Sequence, residues 1–183
     1  MGNEYPEGFS RFYDTIYHQI RDSVDTAFFL NAIKKSKGKV LEVGVGTGRM
    51  FSEALAAGAD IYGIDISPNM LSVLKRKLPE NQTSRVTLQN IIDFRFDSKF
   101  DLIIAPFRVI MHIQDKDDQL KAINNVYNHL NKGGTFIFDT FIPDLNALIS
   151  GLNNVVDFDG EFEPGKKLKR TVTTNPDKLN QLI

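Results

Sequence analysis

Three glycines at alternate positions, Gly44, Gly46 and Gly48, follow an acidic residue, Glu42, and an apolar one, Val43. Glycines spaced this tightly let backbone N–H groups come close to a ligand and accept positive φ. A helix beginning just after them turns its unpaired first N–H groups toward the same place. The chemistry on offer is the cradling of a small ligand on the main chain. Glu42 narrows the choice, because a carboxylate beside a pyrophosphate repels it and beside a cation attracts it. A second carboxylate, Asp65, ends the apolar run DIYGIDI, where it can accept hydrogen bonds from both hydroxyls of a ribose. His112 follows a third apolar run, FDLIIA, and its imidazole can take a proton near neutral pH.

The glycine spacing is G-x-G-x-G, with Arg49 where a dinucleotide fingerprint would place its third glycine. A nucleoside with an ammonium, a sulfonium and no phosphate answers that description, and S-adenosylmethionine (SAM) is such a ligand. LEVGVGTG followed by GIDIS resembles motif I and the second acidic strand end of class I SAM-dependent methyltransferases, and the similarity runs from about Phe9 to Pro143. The resemblance implies that SAM is the cofactor and S-adenosylhomocysteine the product. It implies methyl transfer to a small-molecule nucleophile, an amine or a hydroxyl.

Carried over residue by residue, the resemblance assigns Glu42, Val43, Gly44, Gly46, Thr47, Gly48, Asp65 and Ile66 to the cofactor site. Met70 would pack on the adenine or fill the core. The family usually has Gly-Asp after its third strand; here Gln89-Asn90 stands there, which leaves Asn90, the Ile91 N–H and Asp93 for the adenine. Pro106 and Phe107 open the loop that should lie beside the methyl group. In sugar-amine N-methyltransferases similar to this chain a histidine follows at a place like His112, although an x-His-Ile step can also simply begin a helix. At the other end, Tyr13-Asp14-Thr15-Ile16-Tyr17 fits a Tyr-Asp-x-x-Tyr segment whose tyrosine faces the cofactor, so Tyr13 and Tyr17 are further candidates. An aromatic stripe at that spacing equally suits a buried core. His18 and His129 are read as bystanders.

The elements that must position these residues alternate between the two periods of regular structure. Residues 9–34 place Phe9, Phe12, Tyr13, Ile16, Tyr17 and Ile20 on one helical face. Strands are expected over Val40–Val43, Asp60–Ile66, Val86–Gln89, Phe100–Ala105 and Thr135–Asp139. Gly58 stops the first intervening helix, Ser67-Pro68 starts the second and Pro79 ends it. A helix over Asp115–Leu130 stops at Asn131-Lys132-Gly133-Gly134. This pattern predicts an α/β fold: a three-layer α/β/α Rossmann-like sandwich with parallel strand order 3-2-1-4-5 and right-handed crossovers. Asp139–Asp144 could reach over the pocket, with Phe141 as a substrate wall. Val155–Thr174 reads as a hairpin turning at Pro164-Gly165, with Glu161 and Glu163 facing Lys166, Lys167, Lys169 and Arg170. Leu179–Ile183 begins another apolar strand. The expected organisation is a helical cap over 1–38, a SAM-binding core over 39–150 and a hairpin extension over 151–183. The hairpin either replaces the family's last core strands or stands where they are truncated, and an open sheet edge favours a monomer or an edge-paired homodimer.

Composition sets outer bounds. The 183 residues carry 42% hydrophobic and 25% charged residues and a net charge of −1, so there is no global pull toward nucleic acid or anionic membrane. The absence of cysteine excludes disulfides and thiol chemistry and fits the cytoplasm, as does a polar, acidic start unlike a signal peptide. No apolar run reaches the length of a membrane span, and no cluster has metal-ligand spacing. Two rival functions remain at this level: a SAM-fold protein that binds without catalysis, and an NAD-dependent oxidoreductase.

Overall fold

The computed structural model describes residues 12–17, 24–142 and 145–176. Phe9, His18, Ile20, Asp144 and the Leu179–Ile183 strand lie outside the described residues. The chain divides into two compact units. One takes in Asp22–Thr140; the other takes in Phe12–Arg21 with Phe141–Ile183.

The first unit is a five-stranded parallel sheet in the order β3-β2-β1-β4-β5. The strands are β1 (Val40–Val43), β2 (Ile61–Asp65), β3 (Val86–Leu88), β4 (Phe100–Ala105) and β5 (Leu130–Phe138). All four β1 residues are buried, as a central parallel strand covered on both faces requires. It pairs Val40 with Ile61 on one side and with Leu102 on the other. Helices α1 (Val24–Lys35), α2 (Arg49–Ala56) and α3 (Pro68–Lys77) cover one face, where Phe29, Met50, Phe51, Leu71 and Leu74 pack on Val40, Ile61 and Ile104. The opposite face joins Leu41, Val43, Ile64 and Ile103 to Phe94, to Phe100 and to Ala122 and Val126 of α4 (Lys116–His129). The predicted α/β/α sandwich and its strand order are therefore present. Glu42 alternates with Leu41 and Val43, so it points to the α2 side.

Local signals act as expected at several joints. After α2, Gly58 adopts φ +87°, its N–H bonds the Leu55 carbonyl at 3.0 Å, and Ala59 N–H bonds the Ala54 carbonyl at 3.0 Å. That pair of bonds is the Schellman stop. Ser67 Oγ accepts from Met70 N–H at 3.3 Å with Pro68 in the first turn of α3. Asp115 caps α4 by accepting from Asp118 N–H at 3.0 Å. The fifth strand departs from expectation, since it begins at Leu130 rather than Thr135. Leu130 already pairs with Phe100, the next pair is Leu102 with Thr135, and the residues between them bulge out with Gly133 at φ +82°. The Gly-Gly stretch is thus an excursion within the strand instead of a turn before it.

In the second unit, α5 (Leu145–Ser150) precedes a hairpin of β6 (Leu152–Glu163) and β7 (Lys166–Thr174). The turn falls at Pro164-Gly165, with Gly165 at φ +76°. Glu163 pairs Lys166 and Asp159 pairs Lys169, and Arg170 forms a two-pronged bond to Asp157. Residues 12–17 are helical; Phe12 lies edge-on to Phe162 and Ile16 is buried.

Candidate functional site

The loop between β1 and α2 is shaped by its three glycines, all at positive φ: +70° at Gly44, +56° at Gly46 and +80° at Gly48. Two of them also solve packing problems. A Cβ on Gly44 would lie 2.3 Å from Val109 Cγ2, and one on Gly48 would lie 2.1 Å from Leu74 Cδ1. Gly46 differs, because a Cβ there would meet nothing nearer than the Gly44 carbonyl at 3.9 Å. Its open side is where a ligand can approach the backbone. Gly48→Ala should lower the melting temperature sharply through the clash with Leu74. Gly46→Ala should cost only the strain of positive φ, on the order of 1 kcal/mol, yet weaken ligand binding. Thermal melts and titrations of the two variants separate the roles, and equal loss of stability would count against this division.

The loop is tied down from three directions. Asp65 at the end of β2 accepts Gly46 N–H on Oδ2 and Ser67 N–H on Oδ1, each at 2.8 Å. Lys77 Nζ donates to the Thr47 carbonyl at 3.0 Å. Gly44 and Val45 N–H both reach the Ile64 carbonyl, at 2.8 and 3.0 Å. Asp65 therefore links the glycine loop to the strand end. Each of its oxygens keeps acceptor capacity for a further donor. Burial raises its pKa above the usual carboxylate range, against the lowering effect of the Ser67, Gly46 and Ile66 N–H groups.

Glu42 is 2% exposed, and its Oε2 has no hydrogen-bond partner among the described residues. Desolvation pushes its pKa up to about 8; the Arg49 guanidinium opposes that rise and Asp65 adds to it. A buried carboxyl with an unused acceptor is costly unless something satisfies it. A cationic group fits this position, whereas an anion does not.

The loop after β4 stands beside the glycine loop. Phe107 and Arg108 adopt φ of +60° and +69°, consecutive left-handed residues that are not glycine. Such strain persists only where surrounding contacts dictate it. Arg108 N–H donates to Asp139 Oδ1 at 3.0 Å, the Arg49 guanidinium lies 4.1 Å from the Phe107 ring centroid, and Val109 fills the space beside Gly44. A 3-10 turn, Val109–His112, follows and ends on an exposed His112.

Among the residues expected from sequence, Glu42, Gly44, Gly46, Thr47, Gly48, Asp65, Pro106 and Phe107 come together at the carboxyl end of the sheet, with Thr47 and Pro106 buried. Val43 and Met70 are buried apolar side chains, so Met70 fills the core. Ile66 is 49% exposed at the end of β2. Asn90 uses its side chain on its own turn, accepting Ile92 N–H at 3.1 Å, while Asp93 is exposed and Ile91 is buried. Asn125 clamps this turn by donating to the Ile91 and Phe94 carbonyls. His129 holds the turn's far side, with Nδ1 2.8 Å from the Asn125 carbonyl and Nε2 accepting Phe96 N–H at 3.4 Å. Tyr13 and Tyr17 belong to the second unit, where their ring centroids lie 4.3 Å apart with the planes tilted by 42° and Arg170 lies over Tyr17. Sequence reasoning missed Arg49 and Asp139 as site residues. In sequence Arg49 stands out only as the absence of a third glycine, although a cation directly after the loop is itself a signal. In sequence Asp139 is only the end of a strand and the start of a segment that could reach over the pocket, since nothing there pairs it with Arg108.

Comparisons with known proteins bear on the family and the fold. The sequence model of the family described as methyltransferase domain matches residues 40–134. An uncharacterized methyltransferase of Bacillus cytotoxicus is 36% identical over 118 residues, which cover 64% of this chain and 54% of that protein. The chain thus spans about half the length of the curated relatives it matches. A SAM-dependent methyltransferase of Clostridium acetobutylicum superposes with a TM-score of 0.61 at 28% identity, over 84% of this chain and 63% of that one. A sugar N-methyltransferase of a Streptoalloteichus species shares the fold at 21% identity and a TM-score of 0.60, over 77% and 58% of the two chains.

Proposed function

Because the chain belongs to the class I SAM-dependent methyltransferase family, we propose that it moves a methyl group from SAM to a small-molecule amine or hydroxyl. The observation that carries the donor assignment is the buried Glu42 carboxyl with its unused Oε2 beside the glycine loop. Glu42 would hold the cationic end of the donor, the loop backbone around Gly46 would approach it closely, and the remaining lone pairs of Asp65 would take the ribose hydroxyls. Ile66 and the Asn90–Asp93 turn would flank the adenine. SAM, when bound, supplies a methyl group on a sulfonium, which leaves as a neutral thioether without protonation. The protein's own contribution is alignment and exclusion of water, which can account for most of the acceleration. The strained Phe107-Arg108 turn would set one wall of the acceptor side, and His112 would take the proton released by the acceptor. An amine acceptor is favoured by the likeness to a sugar N-methyltransferase.

Isothermal titration with SAM, S-adenosylhomocysteine and NAD tests the donor. Binding of the first two and none of NAD is expected, and tighter NAD binding would replace this reading with that of an oxidoreductase. Turnover against a panel of amines and alcohols, with wild type and His112→Ala, tests the acceptor side. A loss of about 10²-fold or more in the variant with unchanged SAM affinity is expected for a proton acceptor. Binding of SAM without transfer to any member of the panel would leave a binding protein.

A further inference from the structure

The turn after β3 is nearly saturated with hydrogen bonds, and its main support comes from a helix far away in sequence. Gln89 and Asn90 stand where the family usually has Gly-Asp, and both spend side-chain groups on the turn itself. Gln89 Oε1 accepts Arg95 N–H at 2.8 Å while its Nε2 donates to Thr87 Oγ1 at 2.9 Å, and Asn90 Oδ1 accepts Ile92 N–H at 3.1 Å. The Asn90 carbonyl takes Asp93 N–H and Phe94 N–H at 3.2 and 2.8 Å, and the Asp65 carbonyl takes Gln89 N–H at 3.1 Å. Phe96 N–H goes to His129 Nε2 at 3.4 Å. Over residues 89–96 that leaves two main-chain donors, Asn90 N–H and Ile91 N–H, with no acceptor among the described residues. Adjacent N–H groups left over in an otherwise satisfied turn suit a ligand that offers acceptors.

Asn125 of α4 holds the two donors in place. Its Nδ2 donates to the Ile91 carbonyl at 3.1 Å and to the Phe94 carbonyl at 3.2 Å, which uses both amide hydrogens. The peptide group between Ile91 and Ile92 is thereby held at both ends, its oxygen by Asn125 and its N–H by Asn90. Because a peptide group is planar, the neighbouring Ile91 N–H keeps little freedom. One helical turn on, His129 backs the brace. Its Nε2 accepts from Phe96, so the hydrogen sits on Nδ1, which donates to the Asn125 carbonyl at 2.8 Å. Its ring lies 4.4 Å from that of the buried Phe94. Resting on the assignment of SAM to this site, we propose that Asn125 is a positioning residue for the cofactor's base, holding Asn90 N–H and Ile91 N–H where they meet the ring-nitrogen acceptors of adenine. Neither Gln89 nor Asn90 brings a carboxylate to the exocyclic amine, so the choice of base falls on main-chain donors, and α4 sets their position. Adenine, with an acceptor at N1, is taken; hypoxanthine, with a hydrogen there, sets donor against donor and is refused.

Titration of the full chain with S-adenosylhomocysteine and with S-inosylhomocysteine, its hypoxanthine counterpart, tests the proposal. Wild type should favour the adenine compound by at least about 10²-fold. Asn125→Leu keeps the side-chain size and removes both donors. It should weaken S-adenosylhomocysteine at least about tenfold and leave S-inosylhomocysteine unchanged, so that discrimination falls by the same factor. His129→Leu should act in the same direction, and His129→Gln, whose amide oxygen can take the place of Nε2, should restore most of the affinity. Amide exchange in wild type needs no substitution: the Ile92–Phe96 N–H groups should be protected before ligand is added, and Asn90 and Ile91 N–H only once S-adenosylhomocysteine is bound. If Asn125→Leu does not fold, the exchange pattern and the two His129 variants decide. Equal weakening of both ligands, unchanged affinity for S-adenosylhomocysteine, no preference in wild type, or an Ile92–Phe96 turn that is protected only after ligand binds overturns the proposal and leaves the donor assignment standing. A wild type that binds no S-adenosylhomocysteine overturns the donor assignment and the proposal with it.

Discussion

Replacing Glu42 with glutamine should make the ligand-free protein more stable and its hold on SAM weaker. The carboxyl is buried, Oε2 is unpartnered among the described residues, and the pKa is pushed from 4.5 up to about 8, chiefly by desolvation. Between those two values the folded protein keeps a proton that the unfolded chain has already lost. Folding stability therefore falls as pH rises through that window, with a slope of up to about 1.4 kcal/mol per pH unit from this one group. Above about pH 8 both states are ionised and the slope disappears. Glutamine does not titrate, so Glu42→Gln should flatten that part of the profile and gain most over wild type at the alkaline end. Binding should move the other way. A cation in the cradle favours the carboxylate, so SAM association near neutral pH should release a proton and strengthen toward pH 8. Removing the charge should weaken SAM by at least about 30-fold, the scale for deleting one partner of a buried charge pair. Thermal melts from pH 5 to pH 9 and titrations in buffers of different ionisation enthalpy measure both halves. A variant that binds SAM as tightly as wild type would remove Glu42 from the site.

Asp65→Ala should cost both the loop and the ligand. Its two oxygens satisfy Gly46 N–H and Ser67 N–H, and hydrogen bonds to a charged group contribute about 1.5–3 kcal/mol each. Alanine would leave both N–H groups without their acceptor and free the glycine loop, so a lower melting temperature and a loss of SAM affinity of about 10²-fold or more are expected. Asp65→Asn is the sharper probe. The amide keeps one oxygen and must point its NH₂ at either Gly46 N–H or Ser67 N–H, a donor facing a donor. The nearly isosteric change should therefore behave much like the alanine. If Asp65→Asn retained full stability and full affinity, the carboxylate would be neither a strut nor a ribose acceptor.

Much of the architecture was legible in the sequence because it is encoded locally. Strand β1, the glycine loop, the Gly58 stop and the Ser67-Pro68 start each follow from a few adjacent residues with restricted φ or a specific capping oxygen. The hairpin was visible for the same reason, since Pro164-Gly165 dictates a turn and flanking charges of opposite sign dictate its register. Strand β5 was placed late because pairing Leu130 with Phe100 is a contact between distant segments. Helix period carried through to Leu130 in the sequence, but the sheet claimed that residue.

The candidate site divides along the same line. Residue types and spacing alone determined that a glycine loop follows a buried-strand carboxylate, that a second carboxylate ends the next strand, and that the ligand suited to them is cationic. Only the folded chain decided that Glu42 keeps an unused oxygen, that Asp65 spends one oxygen on Gly46 N–H of the loop and the other on Ser67 N–H at the start of α3, and that Arg49 lies over Phe107. It also decided that Asp139 pins Arg108 in a left-handed turn. Those facts depend on burial and on side chains meeting across the ends of separate strands, and neither is written in any single stretch of sequence.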